Sequence, residues 1–374
     1  MTRLWFLIGF LVLCSSLLIP IIIPQLGHFI KLPKKHVALF IFGDSYFDAG
    51  NNNNINTTAD YQANFWPYGE TFFNYPTGRF SDGRLVSDFI AEHAKLPLIS
   101  TFSQSSSDQL TSGVNFASAG AGALVETHQG LVIDLKTQLR YFKIVEQQLK
   151  QKLGDAGAKT LISRAVYLFS IGSNDYFALF STNSSVLQSH NSKKEYVDMV
   201  IGNLTNTIKE IYEEGGRKFG FLNLLPLGCI PSVKMLVPGS TTGSCQEDGT
   251  ELAKLHNKAL SESLQVLERE LEGFKYSNHD FYDSVIERIN NPSAYGFKEV
   301  TACCGAGPYR GILSCGGKRK IMKEYQVCED PSEYLFFDAD HPSEMANKQI
   351  AELMWSASAN VTGSYNLNTL FHHI

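Results

Sequence analysis

A serine, a histidine and a carboxylate in reach of one another can perform acyl transfer, and this chain offers one such set. Gly43-Asp44-Ser45 follows directly on the apolar run Val37 to Phe42. A serine placed there sits at the end of a buried strand with its hydroxyl toward a cleft. Far downstream the chain reads Phe337-Asp338-Ala339-Asp340-His341-Pro342. An aspartate three residues before a histidine can accept its Nδ1–H, leaving Nε2 to take the serine proton. Asp338 is the better partner, because Asp340, as the immediate neighbour, points away. Two further loops offer hydrogen-bond donors for a developing oxyanion. Ser118-Ala119-Gly120-Ala121-Gly122 permits close backbone approach, so the Gly120 N–H is one candidate. Gly172-Ser173-Asn174-Asp175 places the Asn174 side-chain N–H as another. Each triplet alone is ordinary turn chemistry. Their joint occurrence at strand ends and helix starts is what points to a serine hydrolase. The other nine of the ten histidines are assigned no role.

The elements that must position these groups alternate. Compact apolar runs at 37–42, 114–117, 165–171, 219–225 and 275–282 read as strands. Helical spacing runs through Leu85, Phe89 and Ile90, then over 135–153, 196–214, 252–271 and 342–355. Gly215-Gly216 is a helix stop, and Pro342 suits the first position of the last helix. Strands alternating with helices imply an α/β fold, a parallel sheet with helices on both faces. In such sheets ligands sit beyond the carboxyl ends of the strands. The loops after Phe42, Ala117, Ile171 and Leu225 therefore form the expected site.

Composition agrees with a single large domain. The chain has 374 residues, of which 44% are hydrophobic and only 18% charged, with a formal net charge of -5. That argues against disordered tails and against a nucleic-acid partner, which would need a basic face. The clusters Lys34-Lys35 and Lys318-Arg319-Lys320 read as solvated surface. Arg3 followed by the apolar stretch Trp5 to Ile23 reads as a leader over residues 1–26, ahead of one domain at 36–360. A retained signal anchor is the alternative, and Pro20 and Pro24 argue against it. Beyond Cys14 in the leader, the remaining cysteines are Cys229, Cys245, Cys303, Cys304, Cys315 and Cys328. An even set in an exported chain implies disulfides, and no spacing fits a zinc site. Cys229 and Cys245 are expected to pair. Adjacent Cys303 and Cys304 should bond outward to Cys315 and Cys328, in either order. Sequons at Asn56, Asn183, Asn203 and Asn360 add to the expectation of a secreted glycoprotein.

Four blocks together resemble the plant GDSL esterase/lipase family of the SGNH hydrolases: 40–53 around Gly43-Asp44-Ser45, 113–122, 171–176 and 337–342. They come in the family's order and span nearly all of the expected domain. The resemblance implies that Ser45, Gly120, Asn174 and His341 take the four roles that name the SGNH group, with Asp338 completing the triad. It implies a three-layer α/β/α sandwich, flavodoxin-like, around a five-stranded parallel sheet. Tyr46 stands where the family usually has Leu, and Ala119 where it often has Gly. Cys303-Cys304-Gly305 resembles a run that precedes the family's last block.

The expected reaction is hydrolysis of an ester or lipid through an acyl-enzyme on Ser45, with no cofactor or metal. An acyltransferase using the same triad is one alternative. A non-catalytic binding or signalling protein on the same fold is another, although no triad member is missing.

Overall fold

In the computed structural model of the protein, the described residues are 36–177, 179, 192–237 and 244–373. The expected leader, the Asn183 sequon and part of the loop between Cys229 and Cys245 lie outside them.

The centre is a parallel sheet of four strands in the order β1 (Leu39–Gly43), β2 (Val166–Ser170), β3 (Lys218–Leu222), β4 (Lys275–His279). β1, β2 and β3 are buried along their whole length, as the continuous apolar runs require in a sheet covered on both faces. Register places Phe40 beside Tyr167 and Phe42 beside Phe169, and then Tyr167 beside Phe219 and Phe169 beside Phe221. Their rings stack across the sheet, with Phe42–Phe169 at 4.9 Å and Tyr167–Phe219 at 5.3 Å between centroids. Phe142 packs edge-on against Phe40 and Tyr167 of this layer. The alternate residues face the other way: a Cβ on Gly220 would meet Leu367 and Leu168.

Each face is covered by helices. Phe142 belongs to α2 (Leu135–Arg164), and with it on one side pack α3 (Lys193–Glu213) and α4 (Glu247–Glu270). On the other side α1 (Val86–His93) packs against α6 (Glu344–Ser356), which also meets α7 (Leu367–His372). Between them in sequence α5 (Phe281–Asn290) follows β4. α2 runs past its expected end at Leu153. Gly154 leaves helical geometry (φ 72°, ψ 164°) and the chain then resumes the helix. α3 stops as expected: Gly215 N–H bonds Tyr212 O and Gly216 N–H bonds Ile211 O, which satisfies the last carbonyls.

Two expectations are corrected, and a third is met only in part. Residues 114–117 meet β1 through an isolated parallel bridge of Asn115 with Ile41, and Asn115 also bridges Thr101. The far edge of that segment is held by backbone and side chains together: Phe102 N–H bonds Asn115 O, Asn115 N–H bonds Ser100 O, and Asn51 Nδ2 donates to the carbonyls of Asn115 and Ala117. Pro342 is not the first residue of the last helix. It bridges Phe336, and Ser343 caps the helix by accepting from Ala346 N–H, a role that needs a side-chain oxygen, which Pro lacks. The packing also passes residue 360, because Leu367, Leu370 and Phe371 are buried in the same core.

Ahead of the last helix lies a small disulfide-bonded layer. β5 (Glu299–Ala302) pairs with β8 (Tyr334–Phe336), and β6 (Cys304–Gly305) pairs antiparallel with β7 (Gln326–Val327). The disulfides are Cys229–Cys245, Cys303–Cys328 and Cys304–Cys315.

Candidate active site

β1 ends where only glycine fits. Gly43 has φ of +144°, and a Cβ there would stand 2.1 Å from the Ser170 carbonyl oxygen. Its peptide groups are clasped by Gln138 of α2: Gly43 N–H donates to Oε1 at 2.9 Å, and Nε2 donates to Gly43 O at 2.8 Å. Asp44 N–H donates to Ser170 O, and Asp44 Oδ1 accepts Tyr46 N–H, so the chain turns tightly off the sheet. Ser45 is left on the turn, 8% exposed.

The histidine arrives from the loop after β8. His341 Nε2 lies 2.8 Å from Ser45 Oγ, and His341 Nδ1 lies 2.7 Å from Asp338 Oδ1. Asp338 Oδ1 also accepts the backbone N–H groups of Asp340 and His341. Asp338 Oδ2 accepts the Tyr68 hydroxyl at 2.7 Å. Burial by itself would raise the Asp338 carboxyl, but the His341 charge and ring bond, the Arg319 charge and the Asp340 N–H hold it down at about 2. Burial depresses His341 in turn, and the Asp338 charge more than offsets it, so its pKa is raised. Asp340 turns to a different partner: its carboxylate accepts the Ser232 hydroxyl and its carbonyl accepts the Tyr46 hydroxyl. The structure therefore brings Ser45, His341 and Asp338 together and leaves Asp340 outside.

The two donor loops meet this turn at the same end of the sheet, where Ser118 N–H bonds Gly43 O. Asp48 Oδ2 accepts Ala119 N–H, and Ser118 O accepts Ala121 N–H. The Gly120 N–H between them has no acceptor among the described residues, and neither has the Ser45 N–H. Gly120 has φ of +83°, with Tyr61 packed where a Cβ would stand. Asn174 Nδ2 donates to Ala121 O at 3.0 Å, which ties the two loops and leaves its second hydrogen uncommitted. Asp175 accepts from Ala123 N–H, Leu124 N–H and the Thr127 hydroxyl. Burial pushes Asp48 and Asp175 each up to about 6, and Asp44 up to about 7. Among the described residues no cluster of three His, Cys, Asp or Glu side chains is arranged to hold a metal ion.

A family model described as GDSL-like lipase/acylhydrolase matches residues 39–354. GDSL esterase/lipase 1 of Arabidopsis thaliana is 55% identical over 337 residues, which is 89% of this chain and 90% of that protein. A GDSL lipase of Tanacetum cinerariifolium is 50% identical, over 89% of this chain and 87% of its own length. The chain belongs to the GDSL-like lipase/acylhydrolase family. That places it among the carboxylic ester hydrolases, with a mixed α/β fold of the SGNH kind. An Arabidopsis thaliana relative named an inactive GDSL esterase/lipase-like protein is also similar, at 38% identity over 89% of this chain and 74% of its own.

Several residues of this GDSL site escaped the sequence. Asp48, Asn51 and Asn52 lie in the first block, yet their work became visible only in the fold: Asn52 Nδ2 donates to Ala119 O, so the block staples the 115–119 loop. Gln138 looked like any polar residue on a helix. Tyr68 carried no signal. Arg319 is corrected outright: it was grouped with Lys318 and Lys320 as solvated surface, but it is 1% exposed while both lysines face solvent.

Proposed function

We propose that the chain is a secreted esterase/lipase that hydrolyses carboxylic esters through an acyl-enzyme on Ser45. The supporting observation is the continuous hydrogen-bond path from Asp338 through His341 to Ser45, which is the geometry a general base needs. His341 Nε2 takes the Ser45 proton as Oγ attacks the ester carbonyl. Asp338 keeps the ring in the tautomer that exposes Nε2 and stabilises the imidazolium. The tetrahedral oxyanion accepts from the N–H groups of Ser45 and Gly120 and from Asn174. Each such donor is worth on the order of 3 kcal/mol of barrier. His341 then protonates the departing alcohol, and water attacks the acyl-enzyme with His341 again as base.

In the same reading, residues 114–117 take the fifth, edge position of the sheet. Ile41 N–H bonds Val114 O and Phe116 N–H bonds Ile41 O, which supports that placement. Residues 1–26 are a removed leader and the domain begins near residue 36. Three disulfides and exposed sequon asparagines at Asn56, Asn203 and Asn360 favour an extracellular glycoprotein, with Asn183 as the fourth site. No helix among the described residues is long and apolar enough to cross a membrane.

The test is p-nitrophenyl ester hydrolysis together with mapping of a fluorophosphonate label. Wild-type protein should turn over and be labelled at Ser45, and Ser45→Ala should lose both. Labelling at another serine, or turnover surviving in Ser45→Ala, would overturn the assignment. Added alcohol should not divert the acyl group; predominant transfer to alcohol would make the chain an acyltransferase.

A further inference from the structure

Arg319 presents a problem of physical chemistry. A guanidinium buried away from water is costly unless it is paired, and among the described residues no carboxylate contacts it directly. Its Nη1 donates to Cys315 O at 3.0 Å, and its Nη2 donates to the Tyr68 hydroxyl at 3.0 Å and to Gln62 O at 3.4 Å. The rings of Phe65, Tyr68 and Phe80 lie within 6 Å of its charge. Tyr68 is fully buried, and its hydroxyl passes the contact on to Asp338 Oδ2 at 2.7 Å. Phe80 closes the loop, because its ring packs 4.7 Å from the His341 ring.

We propose that Arg319 and Tyr68 are positioning residues for the triad, forming a relay of Arg319, Tyr68, Asp338, His341 and Ser45 in which a buried cation holds the outer oxygen of Asp338. The inference rests on the esterase reading above. Each link is a donor facing an acceptor: guanidinium N–H to phenol oxygen, phenol O–H to carboxylate, imidazole N–H to carboxylate. The two arms converge on the Asp338 carboxylate, and within each arm every donor is polarised by the bond behind it. Burial and the Asp338 charge keep the Tyr68 hydroxyl protonated, so it stays a donor. The guanidinium compensates the Asp338 carboxylate through one intervening hydroxyl, which leaves both Asp338 oxygens bonded and its rotamer fixed. Arg319 is carried there by the Cys304–Cys315 loop, through its bond to Cys315 O.

The groups that face His341 are Asp338 and Asp340 on its own loop, Asp44 and Tyr46 on the nucleophile turn, and Arg319 with Tyr68 behind. Asp338 and Asp340 favour the imidazolium and Arg319 disfavours it. Removing the cation must therefore raise the His341 pKa, and the acidic limb of kcat/KM moves to higher pH. Removing only the phenol hydroxyl leaves more charge on Asp338 for the ring to feel and moves the limb the same way.

The deciding experiment pairs ester kinetics with ¹⁵N NMR titration of the His341 ring in Tyr68→Phe, Arg319→Met and Arg319→Lys. Tyr68→Phe keeps the ring packing against Phe65, Phe80 and Phe337. Its kcat should fall between about ten- and a hundredfold with KM little changed, as for one lost bond to a charged group. The ring titration should move to higher pH in Tyr68→Phe and Arg319→Met, and Arg319→Lys should restore part of the shift. If Arg319→Met does not fold, Tyr68→Phe decides alone. A Tyr68→Phe protein with wild-type kcat, or with lower kcat but an unmoved ring titration, would overturn the relay. Absent wild-type turnover and Ser45 labelling would overturn the esterase reading, while the titration would still decide whether the relay acts on His341.

Discussion

Asp338 and Asp340 are two residues apart on one loop, yet one holds the imidazole and the other holds Ser232. Asp338→Asn should therefore lower kcat on the order of 10⁴-fold, since an amide no longer holds the productive tautomer. Asp340→Asn should cost far less, and steady-state kinetics on one ester compares the two. Reversed effects would pair the wrong aspartate with the base. The same carboxylate sets the pH response. His341 must be neutral to accept the Ser45 proton, and Asp338 raises its pKa, so kcat/KM should climb with pH through a value above the ordinary imidazole range near 6.5. In the residual activity of Asp338→Asn that limb should move to lower pH. Burial pushes Asp44 up to about 7, and the His341 charge pulls it part of the way back.

At the scale of elements, the nucleophile turn depends on a helix that never touches the chemistry. Gln138 of α2 satisfies both peptide groups of Gly43 and accepts a third duty by donating to Ile133 O. Gln138→Met keeps the volume and strands the Gly43 N–H and the Ile133 carbonyl, while Gly43 O keeps its bond from Ser118 N–H. At about 1–3 kcal/mol for each unsatisfied group, the variant should lose roughly 2–5 kcal/mol in denaturant unfolding. Unchanged stability would mean water replaces the clasp. The periodic strands β1, β2 and β3 were legible because a sheet covered on both faces demands unbroken apolar runs. Residues 114–117 hold Asn115 among their apolar residues, and Asn115 bridges both Ile41 and Thr101; a pattern of apolar residues does not show which edge of the backbone is occupied.

At the scale of the molecule, the three disulfides close segments of 16, 25 and 11 residues. The choice left open in the sequence is decided by strand register. Cys304 pairs with Val327 across β6 and β7, and Cys328 N–H bonds Cys303 O, so Cys328 falls opposite Cys303 and Cys304 is left for Cys315. Replacing Cys303 and Cys328 together by Ser should cost roughly 3–4 kcal/mol in the chain-entropy model. Chemical denaturation would measure it, and an unchanged midpoint would show that the small layer is held by packing alone.

What the sequence by itself determined was local: the strand-ending glycine before Ser45, the glycine-rich donor loop, the aspartate three residues before His341, and the alternation of strands and helices. These follow from backbone preference and hydrophobic period, which act over a few residues. Tertiary structure alone decided which distant groups meet. Tyr68 and Asp338 are 270 residues apart, and Arg319 and Tyr68 are 251 apart. A basic residue between two exposed lysines carries no mark of burial, because burial is set by what packs around it: here three aromatic rings, the Cys315 carbonyl of its own loop and the distant Gln62 carbonyl.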